Sequence, residues 1–194
     1  MKYLYSLSVV VAIMLFGTTS QSRQKDPDQF RIREIAIEGA VRFTQDQVIA
    51  ISGLNLRSIA APQMFDTARK RILRAYNNRG CIQAQVSISS RYTPPPPEEN
   101  LEAANILVKI DEGPVFTLRR LEFVGNKTTR DFIVRRRVLL NEGEPYSEDL
   151  LEMSIERLNR LGLFGRVTKN DVRFELDRAE KIVDLRIFLK ENKK

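Results

Sequence analysis

Val108-Lys-Ile-Asp-Glu-Gly-Pro-Val-Phe-Thr-Leu-Arg-Arg-Leu-Glu-Phe-Val-Gly-Asn126 decides how this chain is organised. Val108 and Ile110 alternate with polar residues, as a strand buried on one face requires. Glu112-Gly113-Pro114 then interrupts the pattern, because proline cannot donate to a ladder. A second apolar run, Leu118, Leu121 and Phe123, follows and stops at Gly125. Ten residues of this stretch, Phe116 to Gly125, restate Phe30 to Gly39, which lies 86 positions earlier.

The echo continues. Between Phe30–Ile88 and Phe116–Phe174, nine of 59 positions are identical, among them Arg33/Arg119, Gly39/Gly125, Arg71/Arg157, Arg74/Arg160 and Val86/Val172. Ile32, Ile35 and Ile37 recur as Leu118, Leu121 and Phe123, so both copies skip one residue of the strand alternation at the same place. A phase change of that kind predicts a bulge, and finding it twice argues for duplication. Further on the offset falls to 79, which aligns Asn105–Glu112 with Asp184–Glu191. The extra residues of the first copy gather around Pro94-Pro-Pro-Pro97, a stiff loop insertion.

Each copy reads β-α-α-β-β. The first strand runs over Ile32–Glu38 and turns at Gly39, which supplies a positive φ, as Gly125 does in the second copy. Thr44-x-x-Gln47 is a capping box that starts a short helix ended by Gly53. A longer helix opens at Pro62 and carries Phe65, Ala68, Ile72 and Tyr76 on one stripe. Val86 and Ile88 alternate with Gln85, Ser87 and Ser89 in a half-buried strand, and Ile106–Ile110 forms the last. The second copy repeats this with a strand at 117–124, helices at 129–139 and 147–162, and strands at 171–176 and 182–189. Ser147 caps its second helix, with Glu148 and Asp149 in the first turn.

Composition excludes several chemistries. The 194 residues include no His and a single Cys, so no His/Cys metal cluster and no Ser-His-Asp couple can form. Cys81 reads as a small buried hydrophobe, with an intermolecular disulfide as the alternative. The carboxylate pairs Glu98-Glu99 and Asp111-Glu112 read as solvated surface rather than acid/base catalysts. No cofactor is expected, and the chain reads as a non-enzyme. Lys and Arg number 32 against 25 Asp and Glu, and Arg119, Arg120, Arg130 and Arg135–Arg137 make the second copy locally basic. That face is either simply solvated or touches anionic lipid or an acidic partner. Gly162-Leu-Phe-Gly165 matches a GXXG nucleic-acid clamp in letters only, since it precedes a strand rather than joining two helices; no nucleic acid is expected.

At the amino terminus, Tyr3–Gly17 is an uncharged run, too short for a comfortable membrane span and suited to a secretory h-region. Ser20 and Ser22 place a cut before Arg23. The expected division is therefore a signal peptide at 1–22, domains at 23–112 and 113–191, and a tail at 192–194. An uncleaved inner-membrane anchor formed by residues 3–17 is the alternative.

The Val108–Asn126 junction resembles the strand–Glu-Gly–strand–Gly-Asn link between successive POTRA domains, the polypeptide-transport-associated repeats of the outer-membrane β-barrel assembly family. Leu158-Asn-Arg-Leu-Gly-Leu-Phe-Gly-Arg-Val167 is similar to that family's helix end, and Arg71–Gly80 with Tyr76 resembles its other form. Ala40 stands where the family usually has Asn. The resemblance implies an α+β fold of two tandem β-α-α-β-β domains, each a three-stranded sheet with two helices on one face. It implies an exported, periplasmic interaction module near the outer membrane, whose partners are a β-barrel protein or its unfolded clients and other envelope proteins. The amphipathic strands of a barrel do not follow Glu191-Asn-Lys-Lys194 in this sequence. A membrane-anchored scaffold of a division or secretion complex is the runner-up.

In that topology the strand after the helices lies at a sheet edge, open to strand addition. In the first copy this is Ala84, Gln85, Val86, Ser87, Ile88 and Ser89, unguarded by proline or lysine. Asp171, Arg173 and Glu175 protect the equivalent edge of the second copy, so extended clients are expected at the first. Ser87→Pro is expected to remove a ladder donor there. Glu112, Gly113 and Pro114 form the domain junction, short enough to make the pair a semi-rigid rod.

Overall fold

Two sheets, each with its own hydrophobic core, follow one another along the chain. The computed structural model describes residues 28–95 and 100–192; the expected signal segment and Pro96–Glu99 lie outside them. The first repeat comprises β1 (Phe30–Glu38), α1 (Gln45–Ser52), β2 (Ile59–Ala60), α2 (Gln63–Asn77), β3 (Gln85–Thr93) and β4 (Ala103–Asp111). The second comprises β5 (Thr117–Val124), α3 (Asp131–Arg135), α4 (Glu148–Arg160), β6 (Val172–Asp177) and β7 (Ile182–Phe188). The strand orders are β2-β1-β4-β3 and β5-β7-β6. In both, the first strand runs parallel to the last and the penultimate strand pairs antiparallel at the edge.

The duplication extends to irregularities. The β1–β4 register slips between Ile32 and Glu34, and the β5–β7 register slips between Leu118 and Arg120, leaving Arg33 and Arg119 as matching bulges. Gly39 and Gly125 have φ of 83° and 102°, and a Cβ at either would sit 2.0 Å from a carbonyl oxygen of the last strand, Ile110 or Leu189. Only glycine fits there.

The capping box at Thr44 forms in full, and Gly53 ends α1 in the left-handed region. Ala68, Ile72 and Tyr76 of α2 are buried against Ile32, Ala104, Ile106 and Val108, while Phe43 meets the Tyr76 ring edge-on at 4.9 Å. The second core gathers Phe116, Leu118, Leu121, Leu151, Leu158, Val183, Leu185 and Ile187. Cys81 is fully buried, and desolvation pushes its thiol pKa up, the behaviour of a small hydrophobe.

Three details depart from the sequence pattern. The two-residue β2 adds a fourth member to the first sheet; in the second repeat the same place carries only the bridge Thr117–Pro145, because Pro145 has no N–H to extend a ladder. Helix α3 closes at Arg135, four residues short of the expected end. Arg137 and Val138 bond back to the carbonyls of Val134 and Arg135, and Ser154 Oγ then captures the Leu139 N–H at 2.8 Å. The third concerns Glu112, which is buried rather than solvated.

Candidate functional site: an open strand edge and the junction beside it

β3 lies at the edge of its sheet, and a single hydrogen bond fixes which of its peptide groups are open. Arg31 donates its N–H to the Glu102 carbonyl at 2.8 Å, so even-numbered residues of β4 turn their peptide groups toward β1 and odd-numbered ones toward β3. Lys109, Leu107 and Asn105 therefore exchange bonds with Ser87, Ser89 and Arg91. Val86, Ile88 and Ser90 point theirs outward, and no partner among the described residues meets them. Their side chains are half-buried toward the helices, whereas Gln85, Ser87 and Ser89 are exposed on the opposite face, as the alternation predicts. Ala84 precedes the strand, its N–H held by the Cys81 carbonyl at 3.1 Å.

This corrects one expectation. The Ser87 donor belongs to the internal β3–β4 ladder, so Ser87→Pro would break the sheet rather than its open side. The open donors are those of Val86, Ile88 and Ser90. Ser90 lies beyond the segment expected from the sequence because β3 runs on to Thr93.

Beside the edge, the outer face of the sheet dips into a groove of about 400 Å³ lined by Glu34, Ala36, Glu38, Ser89, Arg91 and Asn105. Asn105 Oδ1 is buried there with no hydrogen-bond partner among the described residues. The second repeat treats the same face differently. Arg119 pairs with Asp184 at 2.5 Å, and Arg186 holds both Glu122 and Glu175 at 2.7 Å. These guanidinium hydrogen bonds hold the Asp184 and Glu122 carboxyls below their ordinary range. On the β6 edge Thr117 N–H to Lys181 O fixes the parity, and Phe174 and Leu176 are the outward peptides. Val172 is spent on Lys169.

At the junction, Glu112 Oε1 accepts the N–H groups of Val41 (2.7 Å) and Arg42 (2.8 Å) and the Tyr76 hydroxyl (3.0 Å); Oε2 takes the Arg42 guanidinium. Burial alone would raise its pKa, but these donors outweigh it and hold the carboxyl below its ordinary value. Glu191, its counterpart at offset 79, grips Thr128 and Thr129 in the same way, and the Thr129 N–H leads a set of bonds that lowers its pKa to about 2. Each glutamate ties the end of its sheet to the loop after the glycine turn, a role for which the 79-residue alignment was the available signal.

Gly113 adopts φ 61° and takes Asp111 Oδ1 on its N–H, and Pro114 leads into Phe116, whose N–H bonds Gly80 O at 2.9 Å. The two repeats also meet through side chains that single out no motif in the sequence. Arg74 of α2 reaches Asp149 (2.6 Å) and Glu152 (2.5 Å), Asn77 bonds Glu148 (2.9 Å), and Asn78 Oδ1 caps the Asp149 N–H of α4 (2.8 Å). Lys169 closes the cluster on Glu148 and Glu152. Ile82 of the first repeat packs against the second core.

Among the described residues no group of His, Cys, Asp and Glu could hold a metal ion, and no helix is long and apolar enough to cross a membrane. The family model for POTRA, described as the surface antigen variable number repeat, matches residues 30–113 and 116–192. The chain belongs to the POTRA family. Over 73 residues it is 32% identical to the outer membrane protein assembly factor BamA of Neisseria meningitidis serogroup B, covering 38% of this chain and 9% of that relative. Its POTRA pair has the fold of POTRA domains 3–5 of Haemophilus influenzae BamA, with TM-score 0.65 at 23% identity, covering 84% of this chain and 61% of that one. BamA of Haemophilus ducreyi lacking POTRA domains 1–3 gives TM-score 0.69 at 20% identity, covering 84% of this chain and 30% of that one.

Proposed function

We propose that this POTRA pair is a non-enzymatic, exported module of outer-membrane protein assembly or transport that binds extended polypeptide by adding it to the β3 edge. The observation that carries the reading is the row of outward peptide groups at Val86, Ile88 and Ser90. An arriving strand would gain backbone bonds from them and lay alternate side chains over the outer groove and the half-buried flank. The site spans Ala84–Ser89 with Ser90 added, and clients would be unfolded segments of β-barrel or other envelope proteins. The Glu112-Gly113-Pro114 junction, braced by the Arg74 cluster, would hold the two units as a semi-rigid rod. The division 1–22, 23–112, 113–191 and 192–194 belongs to the same proposal, with cleavage before Arg23 freeing the module into the periplasm. N-terminal sequencing of the exported protein checks this; a retained Met1 would favour the anchored alternative.

Peptide titration by NMR tests the binding edge. Ser90→Pro removes an outward donor while leaving the β3–β4 ladder intact, a placement that edge strands tolerate. An extended amphipathic peptide should shift residues 84–91 in the wild type, and binding should weaken at least tenfold in Ser90→Pro with native dispersion retained. Undiminished binding by that variant, or shifts confined to 172–177, would remove the assignment.

A further inference from the structure

The arginines of the second repeat fall into two groups. Arg119, Arg120, Arg135 and Arg186 each hold a carboxylate. Arg137 and Arg157 hold none among the described residues, and Arg160 has only an exposed contact with Glu156 at 3.4 Å, one helical turn away. These three arginines line one concavity of about 320 Å³ together with Leu161. Glu156 answers only Arg160, so the concavity carries an excess of positive charge that attracts anions.

The first repeat shows that this arrangement is not forced by the fold. Arg71, at the position of Arg157, lies over Gly53 at the end of α1, so close that a Cβ on Gly53 would come 2.3 Å from its Nη1. There the guanidinium sits beside the C-terminal end of α1, a favourable place for a cation. The second repeat has Leu139 in place of Gly53 and Arg137 in place of Ile51. Arg157 instead shares a concavity with two further arginines.

The surroundings indicate the kind of anion. At the junction, by contrast, the guanidinium of Arg74 sits among acids and amides, Asn77 and Asn78 directing hydrogen bonds to Glu148 and Asp149. The three-arginine concavity has Leu161 as its one apolar lining residue, with Glu156 touching Arg160 at its rim. Met153, one turn before Arg157 on the same side of α4, is 43% exposed. Guanidiniums beside exposed apolar side chains suit a membrane interface, where the cations meet phosphates and the apolar groups enter the acyl boundary.

We infer that Arg137, Arg157 and Arg160 form a binding cleft for the phosphate of an anionic phospholipid headgroup, with Leu161 and Met153 as shallow apolar contacts. The cleft lies on the helical side of the second repeat, away from the β3 edge, so peptide binding at β3 and lipid binding here stand or fall separately.

The test is co-sedimentation of the chain from Arg23 onward, which keeps every buried residue of both cores, with vesicles of phosphatidylcholine alone or containing a quarter phosphatidylglycerol. Binding should require phosphatidylglycerol and fall as salt is raised. Arg137→Gln with Arg157→Gln should weaken the vesicle partition coefficient by about tenfold or more, since each basic residue near an anionic surface contributes severalfold. Lys70→Gln with Arg178→Gln removes the same charge elsewhere and should change it less than threefold. Equal losses in the two double variants would show diffuse attraction and overturn the site. So would binding abolished by millimolar inorganic phosphate at constant ionic strength, which would make the ligand free phosphate, or an absence of binding to phosphatidylglycerol vesicles by a protein whose melting is unchanged.

Discussion

The outer face of the first sheet is nearly bare: Lys109 and Glu38 approach to 3.4 Å, and Ala36, Ser87 and Ser89 leave the strands uncovered beside the groove. The same face of the second sheet is laced by Arg119, Asp184, Glu122, Arg186 and Glu175. Both sheets nevertheless share one frame, with a bulge at Arg33 or Arg119, a glycine pressed on the last strand, and a glutamate that fastens the next loop. The frame is dictated by the core and by backbone geometry, which the outer face does not touch. Duplication therefore leaves one outer face bare and the other laced with charge, at little expense to either fold.

The sharpest way to break this comparison is at the shared glycines. Gly39→Ala and Gly125→Ala should each destabilise their repeat by about 3 kcal/mol or more, since the methyl would meet a backbone oxygen in a positive-φ turn. Urea unfolding followed separately in the two repeats should show matching losses. A mild effect in one would mean that the two turns do different work.

The glutamates should separate the repeats. Glu112→Gln takes the charge from a buried acceptor that serves the partly exposed Arg42 guanidinium and two backbone donors, and should cost about 2 kcal/mol. Glu191→Gln, at an open site, should cost less. Both carboxyls titrate lower folded than unfolded, so their contribution is complete above an unfolded pKa of about 4.3 and is lost as pH falls. For Glu191 that loss should run down through its folded value of about 2. Acid unfolding of Glu112→Gln and Glu191→Gln should each be less steep than wild type below pH 4.5.

At the junction, Arg74→Glu places like charge against Asp149 and Glu152. The partners are about half exposed and screened, so stability should fall by only about 1 kcal/mol or less. Small-angle scattering should instead show a broader distribution of distances between the repeats; an unchanged profile would assign rigidity to Gly113-Pro114 alone.

The smallest effect has the opposite sign. Arg57 has φ 64°, and its N–H bonds the Ile32 carbonyl at 2.7 Å; Gly143 makes the matching bond to Leu118 with φ 88°. Arg57→Gly should relieve left-handed strain and stabilise the first repeat by up to about 1 kcal/mol, read as a rise in its melting temperature.

Much of this was legible in the order of residues. Paired skips in apolar alternation located both bulges, because side chains alternate strictly along a strand and an extra residue must break the phase. Thr44 and Gln47 announced a helix start because capping is a local bond. The extent of α3 was not legible, since it ends where Ser154, distant in sequence, takes the Leu139 N–H. Glu112 looked like solvated surface because nothing adjacent to it is apolar enough to bury it; its donors come from Val41, Arg42 and Tyr76.

The sequence by itself determined the duplication, the order of the elements, the glycine turns and the strand expected at each edge, because each rests on periodicity or on the conformational range of a single residue. Only the tertiary structure decided which peptide groups of β3 face outward, since that parity is inherited through β4 from the pairing of Arg31 with Glu102. Only it brought Arg74 to Asp149, and Arg137 to Arg157 and Arg160. Contacts between residues far apart in the chain depend on how whole elements pack, and no local pattern records that.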